Sequence, residues 1–160
     1  MATKKAAKKT TRAKKTAPRK AKAAPAKSSA AGRSLALSSA SPSFTVNDLG
    51  KSLAFYRDVL GFAVEQTWDE EGEVTGVSLR AGSVSFLIGQ DDWKKGRNRS
   101  KGEGFRMFCM TDKNVDALAK AIEQRGGKLD QGPRDEPWGV RDISLTDPDG
   151  FKITIAADRR

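Results

Sequence analysis

Residues 46–62, VNDLGKSLAFYRDVLGF, carry the signals of one complete helix. Asn47 and Asp48 are both suitable N-caps, because their short side chains accept hydrogen bonds from the free amides of a first helical turn. Apolar side chains then recur at helical spacing, at Leu49, Leu53, Tyr56 and Leu60. Gly61 can adopt the left-handed conformation that commonly ends helices. The stretch therefore predicts an amphipathic helix that follows a short strand.

A second copy of this pattern begins at residue 105, in FRMFCMTDKNVDALAKAIEQRGG. It again contains a strand, helix-capping residues between Thr111 and Asn114, an apolar helical stripe and a glycine stop at residues 126–127. When Val46 is aligned with Met110, the two glycine stops fall within one residue of each other. The two segments therefore form an internal repeat.

Three strand-like segments follow each helix. FAVEQTW, TGVSLRA and SVSFLIG follow the first, and residues 128–131, GVRDISL and FKITIA follow the second. Asp147-Pro148-Asp149-Gly150 predicts a tight turn between the last two. We therefore predict an α+β fold of two βαβββ units, residues 41–89 and 105–157, that form a curved mixed sheet. A polar linker loop at residues 90–104 joins the units.

The charge of the chain is strongly uneven. Lys and Arg total 30 against 20 Asp and Glu, which gives a net charge of +10. Twelve of the basic residues precede residue 34, whereas the first acid is Asp48, so this segment carries +12 and the remainder carries −2. A Lys-, Ala- and Pro-rich segment without aromatic residues buries too little apolar surface to fold. We therefore predict a disordered basic tail at residues 1–40 and one domain at residues 41–157.

This tail resembles the Lys/Ala/Pro-rich tails of linker-histone-like proteins. A flexible polycation binds phosphates by releasing counterions and does not select a sequence. Anionic membrane surfaces and solubility are alternative uses of the same charges, and a targeting peptide would be richer in Arg. We predict nonspecific nucleic-acid contact through the tail. The candidate residues are Lys4, Lys5, Lys8, Lys9, Arg12, Lys14, Lys15, Arg19, Lys20 and Lys22.

The composition excludes several classes of function. A single cysteine, Cys109, excludes an intrachain disulfide and indicates a reducing compartment. The chain has no His, so a Cys–His nucleophile is also excluded, and Cys109 is expected to be a core thiol. No apolar run is long enough to predict a membrane span. We expect a cytoplasmic protein, with nucleoid association if the tail binds DNA.

Three stretches of the body resemble the vicinal oxygen chelate superfamily: VNDLGKSLAFYRDVLGF, DALAKAIEQRGG and PWGVRDISLTDPDGFKITI. This glyoxalase/bleomycin resistance protein-like family includes glyoxalase I, extradiol dioxygenases, fosfomycin-modifying enzymes and bleomycin-binding resistance proteins. The resemblance covers residues 41–156 and implies two βαβββ units whose sheets enclose a ligand site. It selects no single chemistry, because one fold hosts many functions.

In metal-dependent relatives, the resemblance implies His, Glu or Gln ligands on strands of both units. The corresponding positions here are Ser41, Phe105, Ser85 or Phe86, and Thr154. None of these side chains is a good ligand for a divalent transition metal, which prefers imidazole, thiolate or carboxylate groups. The sequence therefore predicts a domain with no metal and no cofactor.

Strand alternation predicts which side chains line the cavity. The predicted cavity face holds Ser41, Ser43, Thr45, Phe105, Met107, Cys109, Lys152 and Thr154. The predicted helix-covered face holds Phe44, Val46, Phe108, Met110, Ile153 and Ile155. We name as ligand-binding candidates Ser41, Ser43, Trp93, Phe105, Met107, Trp138, Lys152 and Thr154. Trp93 is a candidate lid, Arg106, Arg141 and Asp142 are candidate polar anchors, and packing is the alternative role for the tryptophans, Trp68 included.

These observations predict a metal-independent protein that binds an unknown small organic ligand, in a sequestration or resistance role. Two alternatives remain open. The first is an enzyme of the same superfamily, a glyoxalase-like lyase or a dioxygenase with an atypical site. The second is a DNA-associated protein that acts mainly through its tail. Because members of this superfamily commonly pair, we also predict a homodimer.

Overall fold

The computed structural model describes residues 38–97 and 99–159. The first unit contains strands β1 (Ser43–Val46), β2 (Ala63–Glu70), β3 (Glu73–Ala81) and β4 (Val84–Gln90), and helix α1 (Leu49–Ala54), which continues as a π-helical turn at Phe55–Val59. The second unit contains β5 (Arg106–Met110), α2 (Val115–Gln124), β6 (Gln131–Asp135), β7 (Val140–Thr146) and β8 (Lys152–Asp158). Neither described helix has the length and apolar character needed to cross a membrane.

Each unit forms a four-stranded mixed sheet with the same topology. The strand orders are β1-β4-β3-β2 and β5-β8-β7-β6, and the first and last strands of each unit pair in parallel. The other neighbours are antiparallel. This arrangement confirms the predicted α+β fold of two βαβββ units.

The helix ends use the predicted signals. Asp48 caps α1, because its Oδ1 accepts a 3.0 Å hydrogen bond from the Lys51 amide. Asn114 caps α2 in the same way through the Ala117 amide, at 2.8 Å. Gly61 takes a φ of +84° just after the first helical segment, a conformation that costs little only for glycine.

The prediction for the first strand after α2 was wrong. We expected it at residues 128–131, but β6 runs over Gln131–Asp135 and includes Gly132 and Pro133. Proline lacks a backbone donor and argues against a central strand. Among the strands that the structure describes, β6 pairs with β7 alone and lies at the edge of its sheet, so a proline is tolerated.

One face of each sheet packs into a common core. Val46, Tyr56, Leu79 and Phe86 of the first unit share this core with Met107, Leu145, Phe151 and Ile153 of the second unit. A smaller cluster of Val115, Ala119, Ile122 and Ile143 holds α2 against its own sheet. The opposite faces of both sheets contribute nothing to either cluster. We call them the first and the second open face.

Candidate ligand-binding faces

Small and polar side chains dominate the first open face. Ser43 and Thr45 lie in register with Leu87 and Gly89, and Ser78 lies beside Leu87 on the next strand. The hydroxyl oxygens of Ser41 and Ser85 are 2.7 Å apart and form a hydrogen bond. This face therefore carries hydroxyl groups and Gly89 around Leu87, and the ion pair of Arg80 with Glu65 lies further along it. Ser41, Ser43 and Thr45 lie on the face that alternation predicts.

Larger side chains rise from the second open face. Arg106 and Phe108 on β5 lie in register with Lys152 and Thr154 on β8. Phe108 is 52% exposed and Met110 is 49% exposed, whereas Thr154 is buried between its neighbours. The Arg106 Nη1 atom donates a 2.8 Å hydrogen bond to the Thr154 hydroxyl oxygen. Two cationic side chains, a hydroxyl group and an exposed aromatic ring thus meet on one surface.

The predicted orientation of β5 was wrong. Met107 is only 4% exposed and lies in the common core with Cys109 packed against it, while Phe108 and Met110 face outward. The aligned repeats differ in the link between strand and helix, which covers residues 47–48 in the first unit and 111–114 in the second. Val46 faces the core, whereas in the second unit Cys109 and not Met110 does so; aligning Met110 with Val46 placed the strand one residue out of register, and a one-residue slip reverses every side chain.

Phe105 also lies on the helix-covered side. Its ring centroid is 6.3 Å from that of Phe44 and 6.0 Å from that of Phe151, so it extends an aromatic cluster at the edge of the core. Lys152 and Thr154 do lie on the second open face, and Ile153 and Ile155 pack beneath it, as alternation predicts. Whether any of these residues binds a ligand stays a prediction.

The positions that the family resemblance assigns to metal ligands do not fit a divalent ion. The hydroxyl groups of Ser41 and Ser85 form a hydrogen bond with each other. The Thr154 hydroxyl oxygen accepts a hydrogen bond from the Arg106 guanidinium group, whose positive charge would repel a metal ion. Within residues 38–97 and 99–159, no three His, Cys, Asp or Glu side chains gather in a geometry that could hold a metal ion. The donor set is neutral or cationic where a metal needs anionic or imidazole ligands.

Two buried carboxylates lie at the far side of the second open face. Asp142 on β7 accepts a 3.0 Å hydrogen bond from Gln131, and Glu136 binds Arg134, whose Nε lies 2.6 Å from Oε1. Burial raises the pKa of Asp142, and the negative charge of Glu136 adds to this effect. Sequence reasoning named Asp142 but missed Gln131, Arg134 and Glu136, because it placed β6 too early in the chain.

Arg141, the third predicted anchor, faces the other side of the sheet. Its guanidinium group binds the carboxylate of Asp116 through two hydrogen bonds of 2.9 and 2.8 Å, and it binds Asp135 at 2.8 Å. These contacts tie α2 to β7, which is a structural role.

The three tryptophans lie in three different environments. Trp68 on β2 covers Gly76, where an added Cβ atom would lie 3.3 Å from the ring. Trp138 is 66% exposed in the turn between β6 and β7. Trp93 lies half-buried in the linker loop, with the guanidinium carbon of Arg97 4.6 Å from its ring centroid. Trp68 therefore borders the first open face, while the Trp93 ring already has a cationic neighbour.

A buried carboxylate holds the linker loop in place. Asp91 is 4% exposed and binds the side chains of Arg99 and Lys101. These bonds, together with that from the Trp93 amide, lower its pKa to about 2. The Lys101 Nζ atom also lies 3.4 Å from the Thr45 carbonyl oxygen, which attaches the loop to the end of β1.

A cleft of about 880 Å³ opens on the helix-covered side, between the two units. Leu60, Phe62 and Val84 of the first unit face Cys109, Ile153 and Ile155 of the second, and Lys113 and Asp158 lie at the rim. Burial raises the pKa of the Cys109 thiol. Sequence reasoning missed this cleft, because its walls come from segments of both units that no local pattern connects.

The ten tail residues predicted to contact nucleic acid, from Lys4 to Lys22, lie outside the described residues. Comparison with known proteins bears on the remainder of the chain. Residues 38–155 match the family described as the Glyoxalase/Bleomycin resistance protein/Dioxygenase superfamily. The chain belongs to this superfamily.

Individual members of the superfamily agree with this assignment. A probable lactoylglutathione lyase from Synechocystis is 30% identical over 115 residues, which cover 69% of this chain and 87% of the relative. The structure of TnmS3, an antibiotic binding protein from Streptomyces, shares 24% identity at a TM-score of 0.58 and covers 78% of this chain and 99% of its own. The structure of TioX from Micromonospora shares 15% identity at a TM-score of 0.60, over 75% and 99% of the two chains. The two structures share the superfamily fold.

Proposed function

We propose that this protein binds a small organic ligand without a divalent metal, in a sequestration or resistance role. The observation that carries the proposal is the pair of hydrogen bonds at the superfamily metal positions, Ser41 to Ser85 and Arg106 to Thr154. These groups recognise polar atoms of an organic molecule, whereas they offer a metal no charged ligand. The fold shared with TnmS3, described as an antibiotic binding protein, supports the same function.

The ligand is proposed to lie on the second open face, with Phe108, Met110 and Trp138 as apolar walls. All three side chains are about half exposed or more. Exposed large apolar side chains beside convergent polar groups are typical of binding surfaces. Lys152 and Thr154 remain candidate ligand contacts on this face, and Ser41 and Ser43 are candidates on the other. Met107 and Phe105 lie on the core side, so neither belongs to the site proposed on this face.

We further propose that two copies of the chain complete the site. In the part of the chain that the structure describes, both open faces lie on the outside of the common core. Among the described strands, β1 and β5 each pair on one side only, so each presents an edge that a second copy could approach. In a homodimer, the second open face of one copy would lie beside the first open face of its partner. The hydroxyl-rich first face would then form the opposite wall.

Three measurements on the full chain test this function together. Light scattering at micromolar concentration should give the mass of two chains, and elemental analysis should find no stoichiometric Zn, Ni, Mn or Fe. A thermal-shift screen of metabolites and antibiotics, with and without a chelator, should then yield ligands that raise the melting temperature equally in both conditions. A ligand at 100 times its Kd should add about 2.7 kcal/mol of stability. Stabilisation that vanishes with the chelator would contradict metal-independent binding.

An enzyme of the same superfamily is the second candidate, and two observations favour it. The relative at 30% identity is named a probable lactoylglutathione lyase. The buried carboxyl of Asp142, whose pKa is raised, is a group that could exchange a proton with a bound molecule. Formation of lactoylglutathione, measured with and without added Zn²⁺ or Ni²⁺, tests this candidate. Turnover that Asp142→Asn abolishes would establish it over simple binding.

The basic tail is proposed to add nonspecific nucleic-acid contact, and with it an association with the nucleoid. The support is the charge of +12 in residues 1–33 against −2 in the rest of the chain. A segment of this charge neutralises several phosphates, whereas the body is repelled by them. The tail would then hold the binding domain close to DNA.

A further inference from the structure

Arg106 and Lys152 are directly opposite each other on neighbouring strands of the second open face. Both are exposed, and neither forms an ion pair with any residue that the structure describes. Two like charges on adjacent strands repel each other, and a bound anion would reduce this repulsion.

The Thr154 hydroxyl completes this cationic couple. It is buried, and it accepts the 2.8 Å hydrogen bond that orients the Arg106 guanidinium group. Because a hydroxyl group can donate while it accepts, its own proton remains available to another acceptor. Arg106, Lys152 and Thr154 together therefore offer several donors on one side of the sheet.

The other charged groups of this face leave its positive charge in place. Arg134 is neutralised by Glu136. Asp142 accepts a hydrogen bond from Gln131 and lies within electrostatic reach of Arg106, but one carboxylate offsets at most one of the two cations. On β5, the next outward-facing side chains after Arg106 are Phe108 and Met110, which are apolar. The positive charges of Arg106 and Lys152 thus lie beside the apolar side chains of Phe108 and Met110.

We propose that Arg106, Lys152 and Thr154 form a subsite for the oxyanion group of a small organic acid, a carboxylate or a phosphonate. The apolar part of the acid lies along Phe108 and Met110. The inference rests on the proposed ligand-binding function and narrows its ligand to an anion. In this site the guanidinium group supplies positive charge beside Thr154, a position that the family resemblance assigns to a metal ligand. Arginine suits this purpose because its planar fork matches the geometry of an oxyanion.

The test compares three probes of one shape on the full chain: benzoate, phenylphosphonate and neutral benzamide. Binding is measured by calorimetry, and the Nε–Hε signal of Arg106 is followed by NMR, assigned through its loss in Arg106→Gln. The double variant Arg106→Gln/Lys152→Gln is compared with Arg57→Gln/Lys94→Gln, which removes the same charge from exposed positions on the first unit and the linker loop. The basic tail is unchanged in both, so its own attraction for anions cancels.

We expect both anions to shift the Arg106 signal and to bind about tenfold more tightly than benzamide, since charge-assisted hydrogen bonds are the strong ones. The site double variant should lose this preference, and the control should keep it. Equal anion binding by both double variants would overturn the subsite. If benzamide binds as well as benzoate, the anion subsite fails while small-molecule binding stands. If no ligand from the wider screen binds either, the proposed function fails as well.

Discussion

The hydroxyl group of Tyr56 donates a 3.0 Å hydrogen bond to the carboxylate of Asp147, and this bond joins the helical segment of the first unit to the last turn of the second. Both residues are buried. Asp147 also accepts bonds from the amides of Asp149 and Phe151, at 2.9 and 2.8 Å. Asp149 in turn accepts a bond from the Asn47 amide. The turn at residues 147–150, which the sequence predicts only as a reversal of the chain, is therefore the main polar connection between the units.

Tyr56→Phe should lower the free energy of unfolding by about 1–3 kcal/mol, because it leaves a buried carboxylate without one of its donors. Thr75→Val is the control, since it removes an exposed hydroxyl group with a weak 3.4 Å contact and should cost less than about 0.5 kcal/mol. Urea denaturation followed by circular dichroism measures both. Equal stability of Tyr56→Phe and the parent would show that the bond does not hold the units together.

Met107→Ala and Phe108→Ala should behave very differently although they are neighbours. Met107 lies in the core at 4% exposure, so its truncation should cost about 2–5 kcal/mol. Phe108 is 52% exposed, so Phe108→Ala should cost little stability and should weaken ligand binding instead. Denaturation and ligand titration of both variants measure these effects. The reverse pattern would restore the strand orientation predicted from the sequence.

Asp91 should contribute to stability in a pH-dependent way. Its pKa is about 2 in the folded protein, below the ordinary value of 3.8, so its contribution is present above about pH 4. The contribution is lost as the pH falls towards 2. Asp91→Asn should therefore reduce stability at neutral pH and flatten the loss between pH 4 and pH 2. Asp92→Asn is the matched control and should have a smaller effect, since its pair with Lys94 is exposed.

Alkylation of Cys109 should distinguish the open face from the cleft as the ligand site. This thiol is the single cysteine of the chain and lines the cleft on the core side of β5. A ligand bound on the second open face lies on the other side of the strand and should leave the alkylation rate unchanged. Mass spectrometry with and without a saturating ligand measures the rate. Strong protection of Cys109 would move the site into the cleft.

Deletion of residues 1–33 should abolish DNA binding and leave the thermal stability and ligand response of the domain intact. The deleted segment carries all of the excess positive charge, and the remaining −2 is repelled by phosphate. The affinity of the full chain for DNA should not depend on the DNA sequence, and it should fall steeply between about 50 and 200 mM salt. Gel-shift titrations of both chains at two salt concentrations provide the measurement. Substantial binding by the shortened chain would place the contact in the body.

The sequence by itself determined the repeat, both helices and the turn before β8. These features rest on local chemistry: the Asp48 and Asn114 caps, an apolar stripe at helical spacing and the glycine stop at Gly61. Each signal acts over a few neighbouring residues, so it is readable without knowledge of the rest of the fold.

The tertiary structure alone decided which side chains of β5 face outward and which groups meet on the second open face. A strand has a side-chain period of two, so its direction depends on pairing with β8 and on the length of the link to α2, neither of which is a local property. Likewise, β6 forms across Pro133 because it lies at a sheet edge. Arg106 and Lys152 are 46 residues apart in the chain, and it is the pairing of β5 with β8 that brings their positive charges together.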